Sequence, residues 1–599
     1  MVPVGVDWQR SLTALEADVD GVLVDALAHL DVEQMSALAE ALAQRGLASF
    51  SLTGVSDVER GFYAGMSPQS ELLRRARRVA LNIELVVAGE TLRRDAQLFR
   101  IRDQLTINMA TGRIIRQWPD WQVMAEAELL NLHPEQQGQR WDMASAIRRS
   151  LEANLDLRVA DLQVAAGEAQ VEQARAALLP QFGLRLARDQ IDSDRAATSG
   201  GAIERRRSTA QLEFTQTLFS ERVRALWDVA QLEQVARLED RETQRQNIAA
   251  ETAVAYLDLL SVRSSERIEQ QNLRITRANL RRAQVRESVG YSGPGEVYRW
   301  QSELATARQR LLDIQAIRYQ AEMALNRLLR QPLETRFDVE EADFSDKNLV
   351  VADMRFFRYV RDPQTFAVFR NYVVENGLLA APELALLDAR VSAQGRLKLA
   401  SKRSFWWPEL ELRSGLVEQL GGSGGGVGPG GIPAPARGAN ETDWQVGLSA
   451  QLPLFTGGRR RAELAEVSFR ERQLAEQRAA LAQRIEQNIR SALQDSAASF
   501  AGISLAEDAR LAAQRNLELV TSGYERGTVA LIDLLDAQSA ALSAGQRAAS
   551  AVYAFLIDHV RVQRAAGLVD LFIDQTIHDE WFARLDDYFA EHQDEVVFP

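Results

Sequence analysis

Thr209-Ala-Gln-Leu-Glu-Phe-Thr-Gln-Thr-Leu-Phe219 decides the fold. Its even positions read Ala210, Leu212, Phe214, Gln216 and Leu218, and its odd ones Gln211, Glu213, Thr215 and Thr217. A period of two marks a β-strand with one apolar and one polar face. Three more segments repeat the pattern. Asp443–Leu452 alternates Trp444, Val446, Leu448, Ala450 and Leu452 with Gln445, Gly447, Ser449 and Gln451. Glu409–Leu416 alternates Leu410, Leu412, Ser414 and Leu416 with Glu409, Glu411, Arg413 and Gly415, and Phe182–Ile191 sets Phe182, Leu184 and Leu186 against Gly183, Arg185 and Ala187. Each run has about ten residues, the length that crosses a bilayer when tilted. An ordinary half-buried sheet shows the same alternation. The connections favour a barrel with lipid outside and water inside. Both are polar and long, Asp192–Arg207 and Val417–Thr442, and both lie on one rim. The second carries Gly421-Gly-Ser-Gly-Gly-Gly-Val-Gly-Pro-Gly-Gly431, a flexible run whose GxGxxG pattern at Gly426 lacks the strand and helix of a nucleotide site. Four strands cannot close, and lipid does not tolerate open sheet edges. Three chains would supply twelve strands, within the bacterial range.

Outward from the strands the sequence becomes rich in Ala, Leu, Gln, Arg and Glu, all good helix formers. It also repeats itself. Ala177-Leu-Leu-Pro-Gln-Phe182 matches Phe405-Trp-Trp-Pro-Glu-Leu410, Thr217-Leu-Phe-Ser220 matches Pro453-Leu-Phe-Thr456, and Gly290 with Glu296-Val297 matches Gly527 with Asp533-Leu534. The separation from Phe219 to Gly290 is 71 residues and from Phe455 to Gly527 it is 72. As helix, such a stretch spans about 105 Å. Shorter helical runs accompany each long one: Met143–Leu179 and Val297–Leu329 in the first repeat, Pro382–Arg403 and Ala530–Ala566 beside Gly457–Ser522 in the second. Each repeat therefore reads as one long helix beside two stacked shorter ones.

Composition excludes several functions. Of 599 residues none is cysteine, which removes disulfides and thiolate chemistry. Seventy basic against 83 acidic side chains give a net charge of −13, which argues against a nucleic-acid partner. The five histidines, His29, His133, His559, His578 and His592, share no metal-ligand spacing. We expect no catalytic residues, metal or cofactor, and no enzyme. No apolar run reaches 18 residues, so no membrane-spanning helix is expected.

Residues 1–140 differ from the rest and read as a small α/β domain, with strands at Val19–Val24 and Leu47–Leu52 and helices at Leu30–Ala43 and Leu72–Ala88. Ala76–Gly89 and Leu105-Thr-Ile-Asn-Met-Ala-Thr-Gly112 resemble the C-terminal lobe of substrate-binding proteins of the ABC-transporter type. Only one lobe's length of chain is present. Met1-Val-Pro-Val-Gly-Val-Asp-Trp8 does not read as a secretory signal, so the chain is expected to begin within a larger gene product.

The duplicated unit, residues 144–566, resembles the TolC family of outer-membrane efflux proteins. The most specific segment is Gly523-Tyr-Glu-Arg-Gly-Thr-Val-Ala-Leu-Ile-Asp-Leu-Leu-Asp-Ala-Gln538, similar to the family's turn at the periplasmic end of its second helical hairpin. The resemblance implies a mainly α protein with a membrane β-barrel: a homotrimer with a 12-stranded barrel in outer-membrane lipid and a helical tunnel in the periplasm. It also implies passive conduction, in tripartite efflux or type I secretion, for an inner-membrane pump reached through a periplasmic adaptor. The expected organisation is 1–140, first repeat 144–337, equatorial segment 338–380 (the non-helical stretch Gln331–Ala380), second repeat 381–566, and 567–599, which contributes to the equatorial segment or forms an acidic tail. Asp533 and Asp536, three apart on one helix face, are expected at the tunnel entrance, with Glu296, Tyr524 and Arg526; Arg286 is a second basic candidate. Gly290, Gly527 and Thr528 are expected to dock the adaptor. Leu212, Phe214, Leu218, Leu410, Leu412, Trp444, Val446 and Leu448 are expected to face lipid. A soluble coiled-coil scaffold or adaptor, and a channel fused to a ligand-binding module, are the alternatives.

Overall fold

The computed structural model describes residues 8–13, 19–66, 105–131, 140–198, 204–336, 338–339, 356–360, 362–423, 442–569 and 575–592, with a few isolated positions between them. The chain forms two compact units, residues 1–138 and 139–599.

In the smaller unit five short strands order as Gly21–Val24, Ala48–Ser51, Ala64–Gly65, Thr106–Asn108 and Glu128–Leu130. All neighbouring pairs are parallel except the antiparallel third with fourth. The helix Val32–Gln44 starts at a capping box between Asp31 and Gln34 and buries Met35, Leu38, Ala39 and Leu42. Most of the expected helix Leu72–Ala88 lies outside the described residues.

The larger unit opens with helices α1 (Met143–Ala153) and α2 (Leu155–Ala176), then strands β1 (Gln181–Gln190) and β2 (Arg206–Phe219), then helices α3 (Glu221–Ser288), α4 (Pro294–Leu329), α5 (Pro363–Ala380) and α6 (Pro382–Arg403). Strands β3 (Glu409–Ser423) and β4 (Thr442–Gln451) follow, then helices α7 (Arg459–Glu525), α8 (Leu531–Ala565) and α9 (Gln575–His592). At 68 and 67 residues, α3 and α7 are each about 100 Å long.

Helix α3 packs against α1, α2, α4, α6 and α8, while α7 packs against α5, α6 and α8. Near the sheet the helices therefore run side by side as α2, α3, α6, α7, and at the other end as α4, α3, α8, α7. Burial follows this order. Helix α3 buries twenty residues, whereas α7 buries only Ile489, Leu493, Gly523 and Tyr524. Phe469, Phe500, Leu505 and Leu519 of α7 stay exposed.

The main core lies midway along the helices, where the short ones meet end to end. Met143 and Ile147 of α1, Tyr256, Leu257 and Leu260 of α3, Leu325 and Leu329 of α4, and Phe555, Leu556 and Val560 of α8 form it. A parallel pair, Arg140–Trp141 with Asp338–Val339, closes it, and the Tyr256 hydroxyl donates to the Trp141 carbonyl at 3.0 Å. Away from this core the seam of α3 turns polar. Gln538 of α8 donates to Asn272 Oδ1 at 3.0 Å and Thr276 Oγ1 at 2.9 Å, and accepts from Asn279 at 3.3 Å. Arg318 of α4 pairs with Glu266 at 2.9 Å and Glu322 at 2.8 Å. Such buried pairs tolerate one register and penalise slippage, because a shifted helix strands a polar group.

Two expectations are corrected. The run Met143–Leu179 is two helices, because Asn154 leaves the helical region (φ −58°, ψ 135°) and its Oδ1 caps the next helix at Asp156 and Leu157. The equatorial stretch contains an 18-residue helix, α5, started by Asp362 and Thr365 in a capping box with Pro363 in its first turn. Of the two readings of 567–599, α9 fits the equatorial one: it is a helix docked on α5. Trp581, Phe582, Leu585 and Phe589 pack with Tyr359, Phe369, Tyr372 and Val373, while Asp586 accepts from the Tyr359 hydroxyl and Arg358, both at 2.5 Å. The acids of α9 face outward and its aromatics inward, which composition alone does not distinguish.

Phe582→Ala should empty part of this cluster and weaken α9 docking by about 3–5 kcal/mol. Hydrogen exchange should show lost protection in residues 575–592 with α3 unchanged; full protection of α9 would contradict its docking.

Candidate functional site

The four strands of the larger unit form one antiparallel sheet ordered β4, β3, β2, β1. Leu184 pairs with Leu212, Leu212 with Leu416, and Leu416 with Trp444. One row down, Phe182 pairs with Phe214, Phe214 with Ser414, and Ser414 with Val446. The Phe182 and Phe214 rings lie 5.0 Å apart. Because side chains alternate along each strand, this register gathers Leu184, Leu212, Phe214, Leu412, Trp444, Val446 and Leu448 on one face. Between Leu410 and Glu411 the pairing on β2 steps from Phe219 to Thr217, so Leu218 sits in a bulge beside Leu410. The opposite face carries Arg185, Gln211, Glu213, Thr215, Glu411, Arg413 and Gln445. Among the described residues the apolar face is left open: Phe182 is 72% exposed and Trp444 76%. Among the described residues, β1 and β4 each have one unpaired edge. Strand β3 runs on to Ser423, into the glycine-rich run; the rest of that run lies outside the described residues.

At the far end of the long helices the two repeats meet. Both turns reverse on glycine, Gly290 at φ +75° and Gly527 at φ +76°, where a side chain would be strained. A Cβ on Gly527 would also lie 3.0 Å from the Tyr291 hydroxyl. Thr528 closes its turn by donating through N and Oγ1 to the Gly523 carbonyl at 2.9 and 3.0 Å. Beneath the turns Ala283, Val297, Trp300, Tyr524 and Leu534 form a small core.

A polar knot sits on this core. The Tyr524 hydroxyl of α7 donates to the Glu296 carboxylate of α4, 228 residues away in the chain. Arg286 of α3 lies over the Tyr524 ring at 4.6 Å and the Tyr291 ring at 4.9 Å, with its Nε 4.0 Å from Glu296. It also donates to the Tyr524 carbonyl at 3.4 Å. Arg282 and Glu525 pair outside it at 3.2 Å. Three helices are thereby tied at their tips.

The expected entrance residues thus separate. Tyr524 and Glu296 come together, and Glu296 is spent on Tyr524 and Arg286 rather than standing free as the counterpart of Asp533. Asp533 and Asp536 lie exposed on α8, without a hydrogen-bond or ion partner among the described residues, on the side away from Leu534 and Ala537. Arg526 is exposed and its side chain turns back to donate to Ser522 Oγ at 2.9 Å, so Arg286 is the basic member of the knot. Sequence reasoning missed Trp300 and Tyr291. The signal for Trp300 was its place three residues after Val297, on the same apolar face.

A sheet with a bare apolar face, carried on helices about 100 Å long, defines a membrane-inserted channel protein. Residues 146–330 and 377–568 match the family model described as outer membrane efflux protein, and the chain belongs to that family. It is 24% identical over 422 residues to outer membrane protein TolC of Escherichia coli (strain K12), covering 70% of this chain and 80% of that protein. It is 25% identical over 479 residues to the pyoverdine export outer membrane protein OpmQ of Pseudomonas aeruginosa, covering 77% and 89%. The crystal structure of the Campylobacter jejuni CmeC outer membrane channel superposes with a TM-score of 0.55 at 17% identity, over 74% of this chain and 89% of that one. The protein is therefore an efflux channel of the outer membrane, with its helical part in the periplasm. These relatives are channels and export proteins, not enzymes.

Tyr524→Phe with Glu296→Gln in a double-mutant cycle should give a coupling of about 1.5–3 kcal/mol in denaturant unfolding, the range for a hydrogen bond to a charged group. Additive effects would show that the two side chains do not act together.

Proposed function

We propose that three copies of this chain close into one conduit, which passes solutes from an inner-membrane pump, through a periplasmic adaptor, across the outer membrane. The supporting observation is the four-stranded sheet with an exposed apolar face and two unpaired edges. Lipid leaves no backbone group unpaired, so β1 of one copy must meet β4 of the next. The exposed flank of α7 supports the same assembly, since a helix with four buried residues needs a neighbour. On this reading Leu212, Phe214, Leu218, Leu410, Leu412, Trp444, Val446 and Leu448 touch lipid, and the opposite sheet face lines water.

At the helical end Asp533 and Asp536 form carboxylate rings that favour cations in the tunnel mouth. Tyr524, Glu296 and Arg286 hold that mouth shut by fastening α3, α4 and α7, and Arg526 stands on its rim. The turns at Gly290 and Gly527-Thr528 offer the adaptor a pair of similar surfaces. The work is passive, so neither tripartite efflux nor type I secretion asks this chain for a reaction. Residues 1–138 have a core of their own.

The test is the purified full chain in planar bilayers. A detergent-extracted species of three chains should give discrete conductance steps with cation preference, and Asp533→Asn with Asp536→Asn should cut that preference severalfold while leaving assembly intact. A monodisperse monomer soluble without detergent would overturn the proposal, and unchanged selectivity in the double variant would remove the aspartates from the mouth.

A further inference from the structure

The apolar face of the sheet does not end with the strands. The ladder ends where Glu409 pairs with Gln451; before it Ser404–Trp406 turn out of α6, with the Trp406 and Trp407 amides donating to the Arg403 carbonyl at 2.9 and 3.0 Å, and after it comes Leu452–Phe455. Arg460 ties these segments together: it donates to the Ser404 carbonyl at 3.0 Å, to that of Leu454 at 3.3 Å and to that of Pro453, and its guanidinium covers the Phe405 ring at 4.9 Å. The Trp407 ring is also fixed, 5.1 Å from Phe219. On this rigid junction Trp406, Leu454 and Phe455 project, 82%, 88% and 87% exposed.

The same junction is basic. Lys402 and Arg403 end α6, and Arg459, Arg460 and Arg461 open α7, against Glu409 and Glu463. Arg403 is held at 3.0 Å by the buried Glu221, and Arg459 lies 3.8 Å from Glu463. Lys402 and Arg461 are exposed without a partner among the described residues. The equivalent junction of the first repeat is built differently. Helix α3 opens on Ser220, whose Oγ accepts from the Val223 amide at 3.3 Å, followed by the acid Glu221. Helix α7 opens on Gly458, with no side-chain cap, and three arginines stand at the positive end of its dipole, where cations are disfavoured.

We propose that this junction is a binding band for the headgroup of an anionic glycerophospholipid in the leaflet facing the periplasm. The inference rests on the lipid-facing reading of the sheet given above. Indole and phenyl rings at the end of a lipid-facing surface sit at headgroup level. Beside them the surplus of cations at α6 and α7 selects a phosphate without a neighbouring amine, because each basic side chain near an anionic lipid surface adds attraction that a zwitterion does not return. The charge and the continuity with the apolar face together single out lipid over another copy of the chain.

Quenching of tryptophan fluorescence by brominated lipids tests this on the full chain reconstituted in phosphatidylcholine vesicles. Trp406→Phe and Trp444→Phe isolate the emission of the junction and of the sheet by difference. Brominated phosphatidylglycerol should quench the Trp406 share with about 25-fold higher apparent affinity than brominated phosphatidylcholine, the effect of two unpartnered cations at an anionic surface at about fivefold each. Lys402→Gln with Arg461→Gln should bring the two lipids level, while the Trp444 share responds alike to both throughout. Equal quenching of the Trp406 share in the unmodified chain would overturn the proposal. So would a Trp406 share untouched by either lipid while that of Trp444 is quenched, which would place a neighbouring chain over the junction. A Trp444 share untouched by both would instead defeat the lipid-facing reading of the sheet.

Discussion

A β-strand at the margin of a sheet carries a row of amides and carbonyls with no partner, and hydrocarbon offers none. The sheet of this protein has two such margins, β1 and β4, and an apolar face that water does not favour. No rearrangement of four strands within one chain removes both problems. In the proposed assembly the barrel and the number of chains both follow from satisfying those edges.

The helices repeat the same incompleteness in another form. Helix α3 is surrounded and buries its seam, whereas α7, nearly its equal in length, is left bare along most of its surface. Duplication thus produced two long helices of similar sequence character and opposite environment. The polar contacts of α3, such as Gln538 with Asn272 and Thr276, fix the stagger of the helices, since apolar packing along a rod tolerates sliding by a turn and a buried amide does not. The knot at the tips combines both functions: rings of Tyr291 and Tyr524 sandwich Arg286, and the carboxylate of Glu296 fixes Tyr524 from a third helix.

Much of the fold was legible because its signals are local. Thr209–Phe219 declares its period within eleven residues, and Pro382–Arg403 begins and ends where its proline and its basic last turn say it should. Misreadings arose where one residue overrides a pattern or a pattern is uniform. Asn154 breaks a helix that its neighbours would continue, by bonding the backbone of the next turn. Helix α5, with Phe366, Phe369, Tyr372, Val373 and Val374 spread around it, hides its periodicity because it is apolar on several sides.

The sequence by itself determined most of the elements, their duplication and the two-faced character of the strands. Those properties follow from periods of two and 3.6 read over short windows. Only the tertiary structure decided which side chains meet. Glu296, read beside Asp533 as its equal in the repeat, is taken by Tyr524 and Arg286 while Asp533 remains open to solvent. The physical reason is that equivalence along the chain fixes position on a helix, whereas the partner opposite depends on how helices hundreds of residues apart lie side by side.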